Sequence, residues 1–282
     1  MNFLYPGLTE QVTSLGWDFY GPVILFVMLI TLGVPVWVSI GAAAIGLLLW
    51  SGVLPMSLFG GSLFEGIDAF ALTAVPLFIL TGDALVRTGL SRKFLDVAEA
   101  LTQWTSSGFG SATVLVCGMF SAISGSDAAG AAAVGRMTIG RLVESGYPRP
   151  YACALVAAGA CTGILIPPSI AYIIIGLVLG ISASTLFLAA VIPGLLILTG
   201  IFITNSWINR RYAYEQSAVI SWPEWRHNVL AALKRGWYAF IVPVVIFVGI
   251  FSGSLTPTEA GAVAVIVTII IGFIIRTIKL AD

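Results

Sequence analysis

Asp127 is the only charged residue between Glu99 and Arg136. It closes the polar run Ser124-Gly125-Ser126-Asp127, which separates an apolar stretch, Ala112 to Ile123, from a run made almost wholly of Ala and Gly, Ala128 to Gly135. A carboxylate in such surroundings is costly inside a bilayer unless it finds a partner, a proton or a function. Further along, Pro167 and Pro168 lack the amide hydrogens that would bond the carbonyls of Gly163 and Ile164, so two backbone oxygens are set free beside the hydroxyls of Thr162 and Ser169. With Ser124, Ser126 and the carbonyls at Gly125 and its neighbours, these are enough hard oxygen donors for a small cation of the sodium type. Ser124, Ser126, Asp127 and the Gly163 carbonyl are the candidate ligands. A half-helix starting near Ala128 would aim its positive dipole end at the same place, where an anionic substrate could sit. Two plainer structural roles compete: Asp127 as an N-cap accepting from Gly130 or its neighbour, and the proline pair as a helix kink with Ser and Thr bonded back to the backbone.

Other chemistry is poorly supplied. His227 is the only histidine, and Cys117, Cys153 and Cys161 show no paired spacing, so neither a metal site nor a disulfide framework is expected. An intramembrane aspartyl hydrolase needs two facing carboxylates and a Ser–His type needs an embedded histidine. Asp127 stands alone and His227 lies in a basic loop, so no enzyme is expected. Gly125, Ala128, Ala129, Ala132 and Gly135 suit close helix packing. Trp222, Trp225, Trp237 and Tyr238 suit an interfacial belt.

The elements that must hold these residues are apolar helices. Of 282 residues 59% are hydrophobic, and 13 Lys+Arg balance 13 Asp+Glu. That excludes a water-soluble domain, and the absence of surplus positive charge argues against nucleic acid as a partner. The chain is expected to be an all-α polytopic membrane protein whose partner is the lipid bilayer. Residues 1–20 lack a basic segment before the first apolar run, so no cleavable signal is expected. The 60 uncharged residues between Arg149 and Arg210 would span about 90 Å as one helix, three times the roughly 30 Å hydrocarbon core. They therefore cross twice: once from about Tyr151 to Val178, broken at Pro167 and Pro168, then back through Asn205 after a turn near Gly180 to Ser184. Positive charges fall in four segments only: Arg87 to Trp104, Arg136 to Arg149, Asn209 to Arg235 and the tail from Arg276. All 13 lie on one side if Ser107 to Gly135 enters the membrane halfway and returns as a hairpin, and they split 3 against 10 if it crosses. The positive-inside rule selects the hairpin. Ahead of it, Phe94, Val97, Ala98, Leu101 and Trp104 recur at helical spacing, as in an amphipathic helix lying on the interface or an ordinary connecting helix with one packed face.

The chain also repeats itself. Pro22 to Pro35 followed by an Ala/Gly-rich helix is similar to Pro243 to Pro257 followed by another, each pattern suggesting two short helices broken at Gly and Pro. An odd number of crossings between the copies would invert the second, the inverted repeat of secondary transporters.

These motifs are familiar together. Phe120 to Gly135, Gly146-Tyr147, Ala157 to Ile170 with its Gly-Ile-Leu-Ile-Pro-Pro-Ser run, Leu186 to Ala189, Ile192 to Leu196 and Thr256-Pro-Thr-Glu-Ala260 resemble the large membrane subunit, or permease, of TRAP (tripartite ATP-independent periplasmic) transporters. The resemblance implies an elevator-type, sodium-coupled importer of organic acids such as C4-dicarboxylates or sialic acid in the bacterial inner membrane. It also implies two partners, a small TRAP membrane subunit and a periplasmic substrate-binding protein, and no cofactor beyond sodium as coupling ion. On this reading Ser124, Gly125, Ser126 and Asp127 form a hairpin tip. Thr162, Gly163, Ile164, Pro167, Pro168 and Ser169 form the broken helix beside it, and together they shape one sodium site and half of a substrate site. The implied organisation is a periplasmic N-terminus (1–21), scaffold helices (22–86), a cytoplasmic interfacial arm helix (87–106), a re-entrant hairpin (107–145), a broken helix and return helix of the transport half (149–208), a cytoplasmic loop (209–235) and the first helix pair of a second repeat (236–282). Here Asp127 follows Gly125-Ser126 directly, where family members often place a small or hydroxyl residue. The family's second hairpin and second broken helix have no counterpart before Asp282, which leaves an inactive or structural fragment as the alternative expectation.

Overall fold

A computed structural model of the chain describes residues 17–51, 57–215 and 220–277. All regular structure among them is helical, and four helices are long and apolar enough to cross a membrane: Phe70–Arg87, Ala183–Tyr212, Trp222–Phe251 and Pro257–Ile274. On the 30-residue helix Ala183–Tyr212, Leu188, Ile192, Leu196 and Ile203 form an exposed stripe at helical spacing. Such a stripe is a liability in water and ordinary against lipid; the chain is a multi-pass membrane protein. The expected N-terminal segment up to residue 16 and the tail beyond Thr277 lie outside the described residues.

Two compact units divide at Asp68. In the first, α1 (Trp17–Thr31), α2 (Val36–Ser51) and α3 (Ser57–Ile67) follow one another, α1 packing on α2. The stretch around Phe19 to Trp50 is thus two helices of 15 and 16 residues, each about 23 Å long and shorter than a bilayer core. The break falls at Gly33 (φ 80°), where the Gly33 amide donates to Ile30 O and the Val34 amide to Leu29 O, both at 3.0 Å, a left-handed helix cap of the kind glycine allows.

The second unit contains α4 (Ala74–Arg87, entered through a 3-10 turn at Phe70–Thr73), α5 (Leu90–Thr102), α6 (Gly108–Ser124), α7 (Asp127–Glu144), α8 (Arg149–Ala160, leaving through a 3-10 turn at Cys161–Gly163), α9 (Ile170–Leu179), α10 (Ala183–Tyr212), α11 (Trp222–Gly236), α12 (Ile241–Phe251, entered through Trp237–Phe240) and α13 (Pro257–Ile274). Helix α6 is its hub: every residue except Leu115 and Met119 is buried, and α4, α5, α7, α8, α10 and α12 all pack on it. Its Gly, Ala, Ser and Thr content permits that, because small side chains let several backbones approach one axis. The motif Thr256-Pro-Thr-Glu-Ala explains itself at the start of α13. Pro257 opens the helix, the Thr256 hydroxyl accepts from the Glu259 amide at 3.3 Å, and the Glu259 carboxylate accepts from the Thr256 amide at 2.8 Å, a capping box.

Two local features differ from expectation. Helix α5 buries Phe94, Val97 and Ala98 against its neighbours but ends at Thr102, so Trp104 lies beyond it and is 59% exposed. The segment 209–235, expected as a loop, contains α11, which packs along α5. Trp225 Nε1 donates to Leu101 O at 3.2 Å and Asn228 Nδ2 to Gln103 Oε1 at 2.9 Å. Its charged residues had masked a capped, one-sided amphipathic helix.

The end of α10 clasps the start of α6. Glu215 accepts from the backbone amides of Phe109 (2.8 Å) and Gly110 (3.2 Å) and from the Tyr147 hydroxyl (3.2 Å). Asn209 Nδ2 donates to Ser106 O at 2.8 Å. A carboxylate on the first amides of α6 satisfies donors that have no partner within the helix and meets the positive end of its dipole.

Candidate functional site

The hairpin expected around Ser124 to Asp127 is built from α6, α7 and a two-residue turn. Helix α6 stops because Gly125 takes a left-handed conformation (φ 63°), its amide donating to Ser121 O at 2.8 Å. Helix α7 starts because Ser126 turns extended and its hydroxyl accepts from the Ala129 amide at 3.4 Å. Ser126 is therefore the N-cap. Asp127 is the first residue of α7, which corrects the structural role considered for it: the capping position belongs to its neighbour, and its carboxylate is released from that duty.

The broken element lies against this turn. Helix α8 runs out through Cys161–Gly163, and Leu165 and Ile166 both donate to Thr162 O, at 3.0 and 2.8 Å. No hydrogen bond to the carbonyls of Gly163 or Ile164 occurs among the described residues. After Pro167 and Pro168 the chain re-enters a helix at Ile170, with Ser169 at its N-cap and no side-chain cap bond. The Ile170 amide donates to Gly125 O at 3.3 Å, tying the break to the hairpin. A Cβ on Gly125 would stand 3.0 Å from Pro168 O, and one on Gly163 would stand 2.6 Å from Ser121 Cβ and 2.8 Å from Asp127 Oδ1. The two strictly small positions are what allow the tip and the break to touch.

Four helix ends meet here: the C-terminal end of α6, the N-terminal end of α7, the run-out of α8 and the N-terminal end of α9. The first and third offer partial negative charge and free carbonyls, and the second and fourth offer partial positive charge and free amides. Such a place can hold a cation and an anion side by side.

The polar side chains divide into engaged and unengaged. Ser124 Oγ donates to Ser126 O at 3.4 Å, and Ser124 packs against Gly82 of α4. Thr162 Oγ1 donates to Gly159 O at 2.7 Å. Each hydroxyl keeps lone pairs for a further partner. Asp127 Oδ1 and Ser169 Oγ, in contrast, are buried and make no hydrogen bond. The carboxylate lies beside the Ile164 amide, yet Oδ1 stays unpaired. Buried polar atoms are normally satisfied, and these two unpaired oxygens, one on each side of the tip–break contact, leave room for a further partner. One participant escaped the sequence reading. Ser121 donates to Ala160 O at 3.4 Å and stands against Gly163; its spacing of three from Ser124, which puts both on one face of α6, was the available signal.

Comparison with known proteins gives this geometry its setting. Residues 23–282 match the family described as the tripartite ATP-independent periplasmic transporter, DctM component. The chain is 34% identical over 221 residues to the C4-dicarboxylate TRAP transporter large permease protein DctM of Pseudomonas aeruginosa, covering 78% of this chain and 51% of that protein. It is 31% identical over 243 residues to the sialic acid TRAP transporter large permease protein SiaM of Vibrio cholerae, covering 86% and 56%. It is 33% identical over 250 residues to the isethionate TRAP transporter permease protein DctMQ of Oleidesulfovibrio alaskensis, covering 88% and 38%. The chain spans about half the length, or less, of these relatives. It belongs to the DctM family of TRAP transporter large permeases.

Proposed function

We propose that this member of the TRAP large-permease family serves a sodium-coupled, binding-protein-dependent importer of organic acids such as C4-dicarboxylates. In this reading the tip Ser124–Asp127 and the break Thr162–Ser169 supply one sodium site and part of the substrate site. The observation that carries it is the pair of buried, unpartnered oxygens, Asp127 Oδ1 and Ser169 Oγ, on either side of one contact. A sodium ion would complete both, together with the free carbonyls of Gly163 and Ile164 and lone pairs on Ser124 and Ser126. The exposed amide ends of α7 and α9 suit an organic anion next to that ion. The ion's charge would also offset the cost of Asp127 at membrane depth.

The partners in this proposal are a small membrane subunit and a periplasmic binding protein, and the arginine-rich segments face the cytoplasm. Alternating access would be elevator-like, the hairpin and the broken helix moving together. Their common packing on α6 and the Glu215 clasp support a shared rigid body. The similar left-handed glycine breaks at Gly33 (φ 80°) and Gly253 (φ 72°), each followed by a proline-initiated return, support a repeat.

The complete transporter, reconstituted with its partners in proteoliposomes, tests the function. Uptake of a labelled C4-dicarboxylate is expected with an inward sodium gradient and is expected to fall to background when choline replaces sodium. Equal uptake in choline would contradict sodium coupling. Uptake of another organic acid in place of the dicarboxylate would move the substrate but not the site.

A further inference from the structure

We propose that a second anion site exists away from the tip, in the cavity between α5 and α7, and that Arg92 and Arg136 bind a phosphate- or carboxylate-type oxyanion there. The cavity measures about 470 Å³ and is lined by Arg92, Arg136 and Arg141, with Ser91, Asp96 and Met137 among its walls. Three cations of this region are already paired with carboxylates: Arg87 with Asp83, Lys93 with Asp96 at 3.1 Å, and Arg141 with both oxygens of Glu99. Arg92 and Arg136 form no ion pair among the described residues. Arg136 donates its Nε to Ala132 O at 3.3 Å, which leaves its terminal nitrogens for another partner.

Two uncompensated guanidiniums on the wall of one cavity repel each other, and an anion between them is attracted to both. The acid that could compete, Asp96, is held by Lys93. The planar donor fork of arginine matches the paired oxygens of a phosphoryl or carboxylate group, which an ammonium does not. Arg136 follows Asp127 by nine residues on α7, about 13.5 Å along the helix, so the site is separate from the tip and does not depend on the proposed transport function. The same oxyanion chemistry has two sources, a soluble ion or the headgroup of an anionic phospholipid at the arginine-rich end.

Thermal unfolding of the intact protein in neutral detergent, titrated with potassium phosphate against potassium chloride at matched ionic strength, addresses the soluble source. Native mass spectrometry after release from nanodiscs of mixed phosphatidylglycerol and phosphatidylcholine addresses the lipid source. The expected result is phosphate stabilisation or retained phosphatidylglycerol in the wild type and in the charge-matched control R210Q/R211Q. In R92Q/R136Q the half-saturating concentration should rise at least about tenfold, or the retained lipid should be lost. Should the double variant fail to fold, R92Q alone is read in the same two assays. Stabilisation confined to phosphate assigns a soluble anion, and retention without phosphate stabilisation assigns a headgroup. No difference between the wild type and the Arg92 and Arg136 variants in both assays overturns the proposal.

Discussion

Asp127→Asn is expected to raise steeply the sodium concentration that uptake by the complete transporter requires, while leaving the protein folded and inserted. The substitution keeps the side-chain shape, removes the charge that faces the proposed ion and replaces one carboxylate oxygen with an amide nitrogen that cannot ligate a cation. Losing one charged ligand oxygen costs about 2 to 3 kcal/mol, a weakening of sodium affinity by about 30- to 150-fold. Folding should change little, because the cap of α7 is Ser126 and not Asp127. What α7 loses is one carboxylate in its first turn, worth about 0.3 to 1 kcal/mol. Uptake measured over a range of sodium concentrations separates the two effects. A variant with normal abundance and a steeply raised sodium requirement fits the proposed ligand role; a variant with wild-type sodium dependence removes Asp127 from the site.

The second large effect is expected at Gly163. A Cβ there would stand 2.6 Å from Ser121 Cβ and 2.8 Å from Asp127 Oδ1. The first of these neighbours is attached directly to the backbone of the hub helix and cannot rotate away. Gly163→Ala must therefore push the break off the hairpin, at an overpacking cost of about 1 to 3 kcal/mol, and must displace the Asp127 carboxylate as well. Both thermal stability and uptake should fall. Gly140→Ala, in the body of α7 with nothing within 4 Å of the added atom, should leave both unchanged. Adding Ser121→Gly to Gly163→Ala removes the shorter of the two contacts and should recover part of the lost stability. A Gly163→Ala protein as stable and active as the wild type would show that the tip and the break are not in contact.

Much of this arrangement is legible in the amino-acid sequence. The apolar stretch ending in Gly125 and the Ala/Gly run after it announce two helices joined by a tight turn, because glycine permits a left-handed stop and a serine permits a fresh start. The proline pair announces the break for an equally local reason, the missing amides. The expected turn after Val178 is there too, with Gly180 in a left-handed conformation. What the sequence does not carry is the direction of each side chain. Nothing in Ser124-Gly125-Ser126-Asp127 says that Ser126 takes the cap, that Ser124 turns toward Gly82, or that Asp127 Oδ1 and Ser169 Oγ are left without partners. Those follow from how α4, α6 and the break pack, and packing depends on residues distant in the chain. Glu215 is the extreme case. It reads as one more charge in a polar segment, yet it closes the first turn of a helix that begins more than a hundred residues earlier. Trp104 fails in the opposite way, since its spacing continued the apolar face of α5 past the point where the helix ends.

The central claim is that one ion bridges the hairpin and the broken helix, and a double-mutant cycle on Asp127 and Ser169 tests it most directly. The apparent sodium affinity of the reconstituted transporter would be measured for the wild type, Asp127→Asn, Ser169→Ala and the double variant. If both oxygens hold the same ion, the losses are coupled, with an interaction energy of about 0.5 to 3 kcal/mol, so that the double variant is little worse than Asp127→Asn alone. Losses that simply add, or a Ser169→Ala protein with unchanged sodium affinity, would contradict a shared site.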